Sequence, residues 1–258
     1  MQFTEAQLSQ WLAGFLWPLM RIAAMLMVAP IFSVRQIPVR LRLLLAVLIT
    51  LVVQPVLPPA PVVSVFGTDA LLIALQQIVI GVALGFVLQM AFNALIFAGQ
   101  AMAYSMGLGF ASMMDPTNGV QVPVVAQFWL ILAMLAFLML NGHLVLISAI
   151  VETFSVLPVA TDGLTRAGVW ELVSWASRMF AAGVLMATPV IISLLLVNIG
   201  MGVVSRAAPQ LNIFAIGFPI TLLMGFVLIW MTIPQVMSSF GGLVTEAFAH
   251  SALVLSTR

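Results

Sequence analysis

"ALLIALQQIVIGVALGFVLQMAFNALIFAGQAMAYSMGLGFASMM", residues 70–114, runs for 45 residues between Asp69 and Asp115 without one charged side chain. As a single straight α-helix it would measure about 68 Å at 1.5 Å per residue, over twice the roughly 30 Å hydrocarbon core of a bilayer. A simple membrane span is therefore excluded. The segment either bends into a hairpin or packs much of its length against protein outside the bilayer.

The rest of the chain agrees with this reading. Of 258 residues, 64% are hydrophobic and 6% charged, and the mean hydropathy is +1.25. Soluble domains carry roughly 25% charged residues, so these side chains cannot cover a water-exposed surface. The composition places the chain in a membrane or in a large apolar assembly. The charges are Arg, Asp and Glu only, with a net charge of +1, which lacks the concentrated basic patch that nucleic acid requires. There is no cysteine, so disulfides, thiolate catalysis and Cys-ligated metals are excluded together. "MQFTEAQLSQW" has an acid and no basic leader region, which argues against a cleaved signal peptide.

Proline, glycine and charge divide the chain into about six apolar segments. They cover roughly residues 6–29, 43–55, 70–114, 124–157, 169–204 and 214–250. Between the first two, "PIFSVRQIPVRLR" concentrates Arg35, Arg40 and Arg42, which favours a cytoplasmic connector. Continued alternation would place Arg206 inside and Arg166 outside. Pro189 is expected to kink the fifth segment, and Pro219, Pro234 and Gly241-Gly242 to interrupt the sixth. With no internal repeat, the expected architecture is one all-α domain over residues 1–258, built from long kinked helices and helical hairpins.

Candidate sites are few. Gly85, Gln89, Asn93 and Gln100 fall within about 80° of one helical face, and Gly81 extends that stripe. In an apolar medium such a stripe serves close helix packing with amides bonding across the contact, or it lines a pore. Arg21 stands inside the first segment, where it must pair or snorkel past Pro30. "NGH" at 141–143 is expected to bend the fourth segment, and a proton relay between His143 and Glu152 is the chemical alternative. Asp162 and Arg166, spaced i, i+4, suggest an ion pair at a solvated helix start, with Glu171, Trp175 and Arg178 following. "SRAAPQLN" (205–212) suggests a polar turn. No HExxH, paired aspartates, GxSxG or nucleotide-binding motif is present.

The most unusual stretch is "GLGFASMMDPTNGVQVP" at 107–123, an apolar break that puts Phe110, Met113 and Met114 among glycines and prolines. Ordinary packing does not call for Met and Phe side chains in such a break.

Five runs together carry a family resemblance: "APIFSVRQIPVRLR" (29–42), "QQIVIGVALGF" (76–86), "GLGFASMMDPTNGVQVPV" (107–124), "LNGHLVLISAIVETFSVLP" (140–158) and "RAAPQLNIFAIGFPITL" (206–222). In order and over nearly the whole chain, they resemble the FliR family of bacterial flagellar and type III secretion export-apparatus proteins. The "DP…VPV", "NGHL" and "APQLN" stretches are closer to the flagellar branch than to its injectisome counterpart. The resemblance implies a non-enzymatic, cofactor-free subunit of an export gate in the bacterial inner membrane, within the flagellar basal body. Its partners would be two smaller membrane proteins in several copies each, other export-apparatus proteins, membrane lipid, and unfolded flagellar substrates in transit. Together the subunits would form a helical-spiral hetero-oligomer raised partly above the bilayer plane, driven through other proteins by an ATPase and the proton motive force. The resemblance also implies that residues 107–123 plug the pore. Phe110 and Met113 stand at apolar plug positions beside Met114, Asp115-Pro116 matches the family's "DP", and Gly107 and Gly109 lead into the loop. A secondary transporter with inverted repeats and a central charged site is the rival reading from another class.

Overall fold

The computed structural model describes residues 5–34, 36–61, 63, 67–109, 124–208 and 213–256. Among them are seven α-helices and no strand. They are α1 Glu5–Val28, α2 Val39–Val53, α3 Thr68–Ser105, α4 Val124–Met139, α5 Gly142–Val156, α6 Arg166–Ala207 and α7 Ile213–Ser256. A 3-10 turn, Gln54–Val56, follows α2 and leads into the Pro58-Pro59 stretch, where proline removes the amide needed to continue. Five helices are long and apolar enough to cross a membrane, and α4 with α5 make a sixth, bent candidate.

Two expected breaks are absent. No hairpin forms within residues 70–105, because α3 is unbroken for 38 residues, about 57 Å. The sixth segment is also not interrupted, since Pro219, Pro234 and Gly241-Gly242 all lie inside α7, while Pro189, expected to kink the fifth segment, lies inside α6. Threonine hydroxyls near the prolines donate to carbonyls of the preceding turn, though not to Leu185 O or Trp230 O, the ones each proline leaves without an amide donor. Thr188 Oγ1 donates to Val184 O at 2.7 Å just before Pro189. Thr232 Oγ1 donates to Leu228 O at 2.9 Å and to Ile229 O at 3.0 Å just before Pro234.

Three boundaries move. α2 begins at Val39 after Pro38, so Arg40 and Arg42 stand on its first turn rather than in the connector, and Arg42 Nη2 donates back to Val34 O at 2.6 Å. The fourth segment breaks at Leu140-Asn141, where Asn141 has a φ of 56°; Asn tolerates this left-handed conformation better than most residues. α6 begins at Arg166 with Thr165 as its cap, Gly168 N donating to Thr165 Oγ1 at 3.1 Å. Asp162 therefore precedes the helix, and its spacing to Arg166 is not a helical one.

The chain divides into two compact units, each drawn from separate stretches. The first comprises residues 1–90, 137–176 and 244–258. Here Ala13 and Trp17 of α1 pack on Ala70 and Ile73 of α3. The rings of Phe137 and Phe248 stack at 6.5 Å, and those of Trp175 and His250 at 4.4 Å. The second comprises residues 91–136 and 177–243. Phe92 meets Phe240 edge-on at 5.1 Å, and Phe97 meets Phe180 in the same way at 5.6 Å. Gly99 lets α3 approach α4 so closely that a Cβ there would stand 2.6 Å from Ala126 Cα.

Candidate functional site

Arg21 is fully buried, and it does not snorkel. Nε donates to Gln77 Oε1 at 2.8 Å, Nη1 to Thr153 Oγ1 at 3.0 Å and Nη2 to Leu157 O at 2.9 Å. The guanidinium carbon also lies 4.0 Å from the centroid of the Phe154 ring, within cation–π range. All three acceptors are neutral, so one cation ties α1 to α3 and to the end of α5 without a carboxylate among its hydrogen-bond partners. A planar fork of donors is what allows three elements to be held at once.

The glycines of the predicted stripe lie on the same contact. A Cβ on Gly81 would stand 2.2 Å from Arg21 O and 3.0 Å from Ala24 Cβ. One on Gly85 would stand 2.9 Å from Met25 O and 3.0 Å from Ala29 N. Contacts advance together along both chains: Trp17 with Ile73, Arg21 with Gln77, Ala24 with Gly81, Ala29 with Gly85. α1 and α3 therefore run parallel, in steps of one turn, with small residues admitting backbone to backbone. Gln89 is half-buried at the end of the first unit, and Asn93 and Gln100 are half-buried in the second.

Gln77 and Thr153 were not among the candidates from sequence. Gln77 could have been found, since it sits four residues before Gly81 and continues the stripe. Thr153 and Leu157 gave no signal, being more than 130 residues from Arg21.

The break after α3 begins in a defined way. Gly107 has a φ of 81°. Its N–H donates to Tyr104 O at 3.1 Å, and Leu108 N–H donates to Ala103 O at 3.0 Å. This pair of bonds around a left-handed glycine is a Schellman motif, which satisfies the last carbonyls of a helix. Gly107 thus serves to stop α3. Beside it in the second unit lies Phe218, whose ring a Cβ on Gly107 would meet at 3.4 Å, while a Cβ on Gly109 would meet the Tyr104 ring at 2.7 Å. Phe110, Met113, Met114, Asp115 and Pro116 lie outside the described residues, as do residues 209–212 of the turn expected at 205–212.

His143 and Glu152 both lie on α5. Nine residues at 100° each put them on opposite faces, about 13 Å apart along the axis. They are not brought together, and His143 Nδ1 is buried without a hydrogen-bond partner.

Comparison with known proteins gives the chain its lineage. Residues 12–247 match the family described as "Bacterial export proteins, family 1". The chain is 42% identical to the flagellar biosynthetic protein FliR of Escherichia coli K12, covering 99% of this chain and 98% of that one. It is 39% identical to the FliR of Pectobacterium carotovorum over 98% and 97%, and 28% identical to that of Bacillus subtilis over 84% of each. With a match that runs almost end to end, the chain belongs to the family of bacterial export proteins to which the FliR proteins belong.

Proposed function

We propose that the chain is a non-enzymatic core subunit of the flagellar type III protein export gate, one helical domain over residues 1–258. With two smaller membrane proteins in several copies each, it forms the channel that passes unfolded flagellar substrates, in the inner membrane at the basal body. The observation that carries this reading is the near-complete alignment with curated flagellar biosynthetic proteins. Helix length supports it. Large apolar side chains are exposed on α6 from Trp170 to Val204, about 51 Å along the helix. A 30 Å core crossed at a steep 40° tilt covers only about 39 Å of helix. The remaining apolar surface needs protein partners, as a subunit of a larger assembly has.

Within that gate, residues 107–123 close the pore. Apolar side chains seal a channel by packing and dewetting, and Phe110, Met113 and Met114 supply them. The Schellman end at Gly107 would fix the point at which the loop leaves α3. The test is deletion of residues 110–114, followed by purification of the complex and single-channel recording in planar bilayers. Fixed-stoichiometry complex with ion conductance well above background is expected. Background conductance in a verified complex would sink the plug, and a chain that purifies alone while binding a small solute would favour the transporter instead.

A further inference from the structure

In the first unit, α5, the end of α7 and Leu84 of α3 enclose a groove of about 180 Å³. Leu84, Val156 and Leu255 give it apolar walls, and Ser148, Ser251, Thr153 and Glu152 supply its polar side chains, the Thr153 hydroxyl already donating to Ile150 O and accepting from Arg21. Both serine hydroxyls spend their hydrogens on their own helices, Ser148 on Val145 O at 2.8 Å and Ser251 on Phe248 O at 2.7 Å. What each presents to the groove is therefore lone pairs. Glu152 is exposed, its carbonyl accepts from Ser155 Oγ at 2.7 Å, and its carboxylate has no hydrogen bond or ion pair among the described residues. Arg21, close by in sequence contact through Thr153, is already held by Gln77, Thr153 and Leu157.

We propose that this groove receives an Arg or Lys side chain from a neighbouring protein subunit, with Glu152 as its counter-ion. The polar atoms are acceptors only, which selects a multiple donor, and the carboxylate selects a positive one. An exposed carboxylate bordered by apolar walls is best matched by a cation that arrives on an apolar stem. The walls choose between sources of cation. An Arg or Lys head arrives on three or four methylenes that can lie along Leu84, Val156 and Leu255. A phospholipid amine sits two carbons from a phosphate, which would be pressed against Glu152 and the same apolar walls. The inference rests on the chain being one subunit of an assembly, as proposed above.

The experiment uses the full chain in native membranes, with p-benzoylphenylalanine in place of Val156. Irradiation should give an adduct with a partner subunit, and peptide mapping should find an Arg or Lys within one helical turn of the crosslinked residue. Glu152→Lys should lower the adduct at least ten-fold, and reversing the partner's cation to Glu should restore it. Glu152→Gln, which keeps the shape and removes the charge, should lower it at least three-fold with complex yield monitored alongside. An adduct with lipid alone, or one unchanged within two-fold in both variants, overturns the proposal while leaving the export-gate reading intact. Failure to isolate any multi-subunit complex from unsubstituted membranes overturns both.

Discussion

Arg21 and Gln77, 56 residues apart, meet in the interior through a 2.8 Å bond from Nε to Oε1. The bond sits on the parallel contact of α1 and α3, one turn from the glycine at which the two backbones come closest. Because the cation has only neutral acceptors, removing one acceptor and removing the charge have opposite consequences. Gln77→Leu should destabilise by about 1–3 kcal/mol, since it leaves one donor of a buried charge without its acceptor. Adding Arg21→Met should recover most of that loss, helped by the fact that Gln77 Nε2 has no partner to lose. Thermal unfolding of the detergent-solubilised complex in a double-mutant cycle measures the coupling; additive effects would refute it.

The close approach itself predicts a ranking of glycine substitutions. Gly81→Ala pushes a methyl into a backbone carbonyl at 2.2 Å and Gly85→Ala into one at 2.9 Å, so the first should be the more damaging. Overpacking of this kind costs about 1–3 kcal/mol. Gly200 on α6 has nothing within 4 Å of its Cβ position, and Gly200→Ala should be neutral or stabilising by up to about 1 kcal/mol. Yields of folded chain from matched expressions test the order.

Gly107→Ala should cost about 1–2 kcal/mol, because an L side chain is disfavoured at a φ of 81°. The loss is local to the end of α3. Hydrogen exchange should accelerate about ten-fold at the amides of Gly107 and Leu108, with the α3 interior unchanged. Gly107→Asn should be milder, since asparagine tolerates left-handed backbone. Equal exchange in all three proteins would remove the helix-stop role.

Thr232→Val removes the hydroxyl that serves Leu228 O and Ile229 O ahead of Pro234. A loss of about 1 kcal/mol is expected. In a Pro234→Ala background the returned amide serves Trp230 O rather than Leu228 O or Ile229 O, so the same substitution should cost about as much. A cost that vanished without the proline would tie the hydroxyl to the proline break.

Gln89→Leu and Asn93→Leu are expected to lower the yield of assembled complex more than they change its conductance. Both amides are half-buried, where cross-helix bonding is their natural use. Normal yield with altered gating would assign them to the pore instead.

Much of the architecture could be read from sequence because punctuation is strong in so apolar a chain. Pro30, the Pro58-Pro59-Pro61 cluster, Asp69 and Asn141-Gly142 each stand at or beside a real helix end. Proline inside a segment does not mark a helix end here, since the sixth segment runs on as one helix past Pro219 and Pro234. Gly107 was legible only as part of an unusual break leading into the loop, whereas its left-handed backbone makes it a stop for α3. The partners of Arg21 were the least legible feature. Nothing local distinguishes Thr153 from any other helical threonine, and the small-residue stripe marks a close contact on the third helix without naming the first as its partner.

That pairing bears on how the protein is made. The acceptors of Arg21 follow it by 56, 132 and 136 residues. At roughly 5–20 residues per second, the last of them leaves the ribosome on the order of 10 s after the arginine. Until then the first helix carries a cation with nothing to hold it, and cannot settle as an independent span. Its integration must wait, at the translocon or in the care of an insertase, for the third and fifth helices to arrive. A truncation ending before residue 150 should accordingly leave the amino-terminal helix exposed to degradation, so that the order of synthesis, as much as the finished packing, sets whether this chain survives.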